Sequence, residues 1–316
     1  MRKVEPMRKV IFVGSTAFSG STFFHMILAN DPKGFSCGEV RSLFHPYRRQ
    51  HSQPVCGCGD DDCRFWYQVR ERGADKLYET LFEMYPDVEF IVDSSKNPFW
   101  IRSQSENLRR RGIQVKNILI WKTPLEFAYS CQRRNHFEDW DEHWVDYHRR
   151  YFSLVDEWGS VKYRAVAGGG PVVKDACEYL EIPYFEGKEQ YWQKTQHVLF
   201  GNYSAKFHLY SADEVTEYLS DTFDQERLQF YRSIYYREVE DEVLRRTVEE
   251  AVSGSEYFGR ILALLNAYDV ANERPGADGT DLGEVRLPIP SLEYKRLRHW
   301  VRSRIGQVRY GRSRWS

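Results

Sequence analysis

Long apolar runs are missing from this chain of 316 residues. None approaches the roughly 18 consecutive apolar residues that a bilayer-spanning helix needs. Cysteine is scarce, with six in the whole sequence, too few for a disulfide scaffold at this length, so a reducing compartment and a cytoplasmic location are expected. An excess of one charge sign is absent as well: 45 Lys and Arg stand against 46 Asp and Glu. That balance argues against a general polyanion binder or a disordered acidic chain, and no nucleic-acid partner is expected. No internal repeat is visible. The N-terminus, Met1 to Gly20, sets basic residues before an apolar stretch of only about six residues, which reads as a first strand and not as a secretion signal.

A hydrophobic fraction of 41%, with 16% aromatic residues, is enough to bury a sizeable core. Charge is unevenly spread along the chain. From Arg286 to Ser316 nine Lys and Arg face one Glu, a net +8, which leaves −9 on the rest. We therefore divide the chain into an α/β domain over 1–285 and a basic C-terminal tail over 286–316. The tail reads as a surface helix that docks on the acidic body or lies in solvent; a weak contact with an anionic surface is the sharper alternative. Arg274-Pro275-Gly276-Ala277-Asp278-Gly279 and Leu287-Pro288-Ile289-Pro290 have linker composition.

The body alternates strands and helices. Lys9–Val13, Val88–Val92 and Ile118–Trp121 are short, β-branched or aromatic runs that read as buried strands. Helices are expected over Phe23–Ala29, from Asn97-Pro98 to Arg111, and from Thr123-Pro124 onward, the last two with Pro at the first helical position. After Asp139 the pattern is mostly helical, interrupted by a strand at Val161–Arg164. This alternation predicts a parallel sheet flanked by helices, P-loop-like, followed by a mostly helical C-terminal half. In such sheets ligands bind beyond the carboxyl ends of the strands. All three strands end in polar segments: Gly14–Thr22, Asp93–Asn97 and Lys122–Pro124.

Gly14-Ser15-Thr16-Ala17-Phe18-Ser19-Gly20-Ser21-Thr22, between a strand and a helix, has the layout of a phosphate cradle. Backbone amides and a helix N-terminus face an anion, and hydroxyls add donors. The nucleotide-triphosphatase signature requires Gly-Lys-Ser/Thr. Here Ser21 stands between Gly20 and Thr22, so the lysine that reaches the β- and γ-phosphates is missing. A small-molecule kinase of the P-loop type is thereby disfavoured, though retained as an alternative.

Several segments resemble, in order, those of sulfotransferases that use 3′-phosphoadenosine 5′-phosphosulfate (PAPS), the bacterial and tyrosylprotein types in particular. They are Ser19-Gly20-Ser21-Thr22, Cys37-Gly38-Glu39, Cys56-Gly57-Cys58-Gly59 with Cys63-Arg64-Phe65-Trp66, and Asp93-Ser94-Ser95-Lys96-Asn97-Pro98. Ile118–Arg134, Tyr163-Arg164 with Ala176–Pro183, and His197 with Gly201-Asn202 complete the series. The resemblance implies PAPS as donor, a hydroxyl-bearing acceptor and no required metal. It implies donor binding by Ser19, Gly20, Ser21, Thr22, Lys122, Ser130, Arg134, Gly201 and Asn202. Three positions depart from the family pattern. Phe18 stands where an Arg is usual, Lys122-Thr123-Pro124 replaces Arg-Asp-Pro, and Ala205 followed by Lys206 stands where a basic residue is usual. Lys binds phosphate without the bidentate fork of Arg. A degenerate, non-catalytic nucleotide binder is the alternative these departures support.

Sulfuryl transfer asks mainly for positioning and electrostatics, plus a base for the acceptor hydroxyl. Lys96 is the catalytic cation expected at the bridging oxygen, at a helix start where the dipole disfavours a merely solvated lysine. Glu39 is the candidate base. His25 is its rival, with His45 and His136 behind it. Cys56, Cys58 and Cys63 offer three thiols to a metal, with Cys37 or His51 as fourth ligand, but the spacing is not that of paired Cys-x2-Cys knuckles. No metal is assigned from the sequence.

Overall fold

The computed structural model describes residues 8–136, 138–168, 171–206, 238–273, 283 and 285–310. The N-terminal Met1–Met7, the linker-like Arg274–Gly279 and the final residues 311–316 lie outside these. Five strands form one parallel sheet in the order β2-β3-β1-β4-β5: β1 Lys9–Gly14, β2 Gly34–Gly38, β3 Phe90–Asp93, β4 Gln114–Trp121 and β5 Trp158–Lys162. Both faces are covered, as a parallel sheet requires. On one face Ile11, Val13, Val92, Ile118 and Ile120 pack against α1 (Ser21–Leu28) and, later in the chain, the helix Pro171–Leu180. On the other, Val10, Phe12, Leu119 and Trp121 meet a mass of rings that includes Trp66, Tyr78, Trp100, Trp144 and Tyr151.

Two of the expected elements differ. β2 was not foreseen, because Gly-Phe-Ser-Cys-Gly carries neither alternation nor β-branching; it is a strand because β3 supplies its ladder. At the other edge, β5 begins three residues earlier than expected and ends at Lys162, so that Tyr163 and Arg164 open a short helix. Trp158 lies at the start of that strand, stacked on Phe152 and Tyr268 at centroid distances of 4.9 and 4.1 Å, which fixes the register through packing rather than propensity.

The expected helix starts are present. Asn97 caps Pro98–Arg110, its side chain accepting from the Trp100 amide at 3.0 Å. Thr123 and Glu126 form a capping box at the start of Pro124–Gln132, where Pro124 occupies the first turn. The polar ends of β1, β3 and β4 therefore emerge side by side on one edge of the molecule. β2 adds a fourth segment there, beginning with Glu39.

The C-terminal segment is a helix, Ile289–Tyr310. The apparent linker before it is partly structural, since Leu287 is buried and its amide donates to Ser153 Oγ at 2.8 Å. The helix touches the body through His299, which stacks on Phe99 and contacts the Arg41 guanidinium at 3.0 Å, and through a Lys295–Asp146 ion pair. No described helix is long and apolar enough to cross a membrane.

Candidate active site

The loop after β1 is a closed polar turn. Ser15, Thr16, Ser19, Ser21 and Thr22 are all buried. The Thr16 and Ser19 hydroxyls lie 2.5 Å apart, and Ser15 Oγ donates to the Thr16 carbonyl at 2.8 Å. Gly20 is left-handed, with φ 88°, and a Cβ there would sit 2.4 Å from the Tyr163 ring. Both facts require glycine. The N-cap Gly20 has no side chain with which to cap α1, and among the described residues no side-chain cap bond is made there. Asn202 joins this loop through its amide, which donates to Thr22 Oγ1 at 2.8 Å and leaves the Thr22 O–H as a donor.

Glu39 and Lys96 are brought together by neighbouring strands. The short α1 does not return the chain to this edge; β2 does, paired in parallel with β3 so that Gly38 stands beside Asp93. Each functional residue follows its strand end. Gly38 has φ 67°, and a Cβ would collide with the Leu199 carbonyl at 2.2 Å. The Asp93 carboxylate is a buried anchor, accepting from Tyr78 Oη at 2.7 Å, Trp100 Nε1 at 2.9 Å and the Ser95 amide at 2.7 Å. Burial pushes its pKa up, and these donors oppose the shift.

Lys96 itself is left-handed at φ 61°, a costly conformation for a side chain with a Cβ. Its ammonium ion-pairs with the Glu39 carboxylate, the two side chains being 19% and 17% exposed. The Lys96 carbonyl accepts from Tyr147 Oη at 2.8 Å, and Tyr147 Oη itself accepts from the Ser15 amide at 2.8 Å. Tyr147, which sequence reasoning missed, thus ties the loop after β1 to the Lys96 turn. Lys206, which the sequence places one position beyond Ala205, is a further cation near this pair: burial lowers its pKa while the Glu39 charge opposes.

Lys122, Ser130 and Arg134 also converge. Lys122 Nζ donates to Ser130 Oγ at 2.9 Å and lies 4.2 Å from the centre of the Tyr163 ring. Arg134 donates to the Ser130 carbonyl at 3.1 Å. Its guanidinium rests on the Phe18 ring, 4.8 Å from the centroid. Phe18, where the resemblance leads one to expect a cation, is here the platform under another cation.

The rival bases fare differently. His25 is wholly buried on α1. Burial, with Lys96 adding to it, drives its pKa down to about 3, which leaves a feeble base. His45 packs edge-on against Trp100 and is held down to about 4 by burial. His136 lies edge-on to Phe18, at the Arg134 side.

The cysteines gather with an unforeseen partner. Cys56, Cys58, Cys63 and His197 place one ligand atom each within 4.8 Å of all the others. Neither expected fourth ligand takes part. Cys37 is buried on β2, and His51 is packed between Tyr47 and Phe200 at centroid distances of 4.3 and 4.8 Å. His197 had been noticed only for its place before Gly201-Asn202.

No protein-family model matches the chain, and no curated protein does. Similar solved structures include a sulfotransferase domain from the curacin biosynthetic pathway, at 15% identity over 78% of this chain and 98% of that one, with a TM-score of 0.44. A second is a sulfotransferase domain from the Synechococcus PCC 7002 olefin synthase, at 17% identity over 78% and 96%, with a TM-score of 0.45. A third is a sulfotransferase from Alicyclobacillus acidocaldarius, at 14% identity over 70% and 99%, with a TM-score of 0.37.

Proposed function

We propose that this chain transfers a sulfuryl group from PAPS to a hydroxyl acceptor. The observation that carries the reading is the Glu39–Lys96 ion pair after β2 and β3, followed along the same sheet edge by a phosphate-cradle loop after β1 and the Lys122–Ser130–Arg134 cluster after β4. The donor's chemistry fits these residues. A molecule with separate 3′ and 5′ anionic groups asks for two cationic or amide-rich poles, and the hydroxyl, amide and cation content of the two segments supplies them.

Ser19, Gly20, Ser21 and Thr22 would hold the 5′ end through amides and hydroxyls, with Gly201 and Asn202 closing over Thr22. Lys122, Ser130 and Arg134 would hold the 3′-phosphate. When bound, the donor supplies an electrophilic sulfur and a phosphate leaving group. Lys96 would neutralise charge growing on the bridging oxygen, and Glu39 would take the acceptor proton. No metal ion is needed for these roles.

The acceptor is defined here as a hydroxyl compound; sugars, phenols, peptidyl tyrosine and lipid headgroups all carry the group required. The C-terminal helix exposes Tyr294, Leu297, Trp300, Ile305 and Val308 among its arginines. This composition supports a weak contact with an anionic surface on that side.

The test is ligand stabilisation followed by turnover. Adenosine 3′,5′-bisphosphate should raise the melting temperature, because a ligand confined to the native state stabilises it by mass action. ATP, lacking a 3′-phosphate, should raise it less. An equal or larger shift with ATP would overturn the donor assignment and favour the kinase. Stabilisation without sulfated product, across the four acceptor classes with labelled PAPS, would mark the chain as a non-catalytic binder.

A further inference from the structure

The four ligand atoms of Cys56, Cys58, Cys63 and His197 form a compact set away from the proposed reaction. Cys56 Sγ lies 3.2 Å and Cys63 Sγ 3.8 Å from His197 Nδ1. Zinc–sulfur bonds of about 2.3 Å and zinc–nitrogen bonds of about 2.0–2.1 Å put tetrahedral ligand atoms roughly 3.5–3.8 Å apart. The observed separations bracket that value, and the 4.8 Å limit on all six pairs leaves less than an ångström or so of adjustment. Three soft sulfurs and one imidazole are a donor set for zinc. The spacing also disfavours a two-iron cluster, whose ligands divide between separate irons.

The surroundings hold the ligands in place. The His197 ring stacks on Phe65 at 4.6 Å between centroids, and its carbonyl accepts from Trp66 Nε1 at 2.9 Å. The Gly57 amide donates to the Val198 carbonyl at 2.8 Å, and Leu199 bridges both Cys56 and Gly38. All four cysteine and histidine side chains are at least partly buried. The thiols are free, so nothing covalent competes for the sulfurs.

We propose that Cys56, Cys58, Cys63 and His197 bind one zinc ion in a closed, structural site that clips the 56–63 loop to the 197–202 segment. Four protein ligands leave no open position, so the ion takes no part in chemistry. Binding exchanges thiol protons for the metal; the protons go to solvent and no redox change occurs. The clip reaches the proposed active site through Leu199. Its carbonyl accepts from the Glu39 amide at 2.8 Å, and three residues on, Asn202 meets Thr22. A metal at His197 therefore holds the wall behind the ion pair without touching it.

The site is independent of the transfer reaction and is tested by metal content, so failure to find an acceptor leaves it standing. The full-length chain, produced with zinc in the medium and desalted under reducing conditions, should carry about one equivalent of zinc by elemental analysis. Cobalt added to the demetallated protein should give the visible absorption of a tetrahedral thiolate complex, and zinc should abolish it. Chelator should lower the melting temperature, and zinc should restore it. Cys58→Ser and His197→Gln should each lose most of the bound zinc. Wild-type protein that holds no zinc and gives no cobalt spectrum would overturn the proposal, and because that reading uses no variant, misfolding cannot mask it. Iron in place of zinc, folded variants that retain full zinc, or an intact mass lighter by two hydrogens from a Cys–Cys disulfide would overturn it equally.

Discussion

The two walls of the candidate site, a loop wall after β1 and β4 and a second wall after β2 and β3, are built in different ways. The loop wall uses short-range sequence. Ser19–Thr22 sit at one strand end, and Lys122, Ser130 and Arg134 fall within a strand end and the helix that follows it. Many of its contacts are local, such as Thr16 to Ser19 or Arg134 to Ser130, although Asn202 reaches Thr22 and Tyr147 reaches Ser15 from far along the chain. The facing wall is assembled from distant pieces. Leu199 alone joins Gly38, Glu39 and Cys56, and His197 reaches back to Cys56 across 141 positions. A local wall forms wherever its strand and helix form. A composite wall forms only when the whole sheet edge is in place, and it carries both the proposed base and the proposed metal clip.

If the walls divide the labour in this way, donor binding and chemistry should separate by mutation. The largest effect belongs to Glu39. Glu39→Gln is nearly isosteric and should leave stabilisation by adenosine 3′,5′-bisphosphate intact. Turnover should fall roughly 10²–10⁴-fold, the range for loss of a general base. A variant that loses nucleotide stabilisation along with turnover would show that the walls are not separable.

Next comes Lys96→Ala. The charge counts most as the leaving oxygen gains charge, so the loss should appear in kcat, at roughly 10²-fold. The same variant also frees Glu39 from its ion pair. An unchanged kcat with a raised donor KM would move Lys96 to the loop wall as a binding residue.

This contrast also explains what could be read in advance. The cradle, the Asp93–Pro98 turn and the capped helix at Thr123 were legible because each is a contiguous signal: glycine and hydroxyls after a strand, or Pro at a first helical turn. β2 was not, since its conformation comes from β3 and not from Gly34–Gly38 themselves. The order β2-β3-β1 then makes Glu39 and Lys96 neighbours, a fact of topology that spacing along the chain does not carry. Tyr147 sits mid-helix among other aromatic residues and gives no signal that its hydroxyl bridges Ser15 and Lys96. His197 lies 134 positions beyond Cys63, and no spacing along the chain joins it to the cysteines. Phe18 was legible as a departure, but not as the platform for Arg134.

The smallest effect concerns what lies beneath both walls. His25 is buried on α1 behind the loop, and His148 is buried one residue after Tyr147, its Nδ1 2.7 Å from the Trp144 carbonyl. Burial holds His25 down to about 3 and His148 down to about 4, against an ordinary 6.5. Well above pH 6.5 these groups are neutral in both folded and unfolded chains and contribute no pH dependence. Below it the unfolded chain takes up protons that the folded chain refuses, so stability falls with pH, by up to about 1.4 kcal/mol per pH unit for each such group. The loss continues until the folded pKa is reached. The melting temperature should fall from pH 6.5 to 5, and His148→Phe, close in size and set among the rings of Trp144 and Phe152, should make the fall shallower. A melting temperature flat from pH 6.5 to 5, or a slope that His148→Phe leaves unchanged, would mean that these imidazoles are not held neutral. Should His25→Leu flatten the slope of nucleotide-bound protein more than His148→Phe does, acid acts first on the loop wall, and the local wall is the weaker of the two.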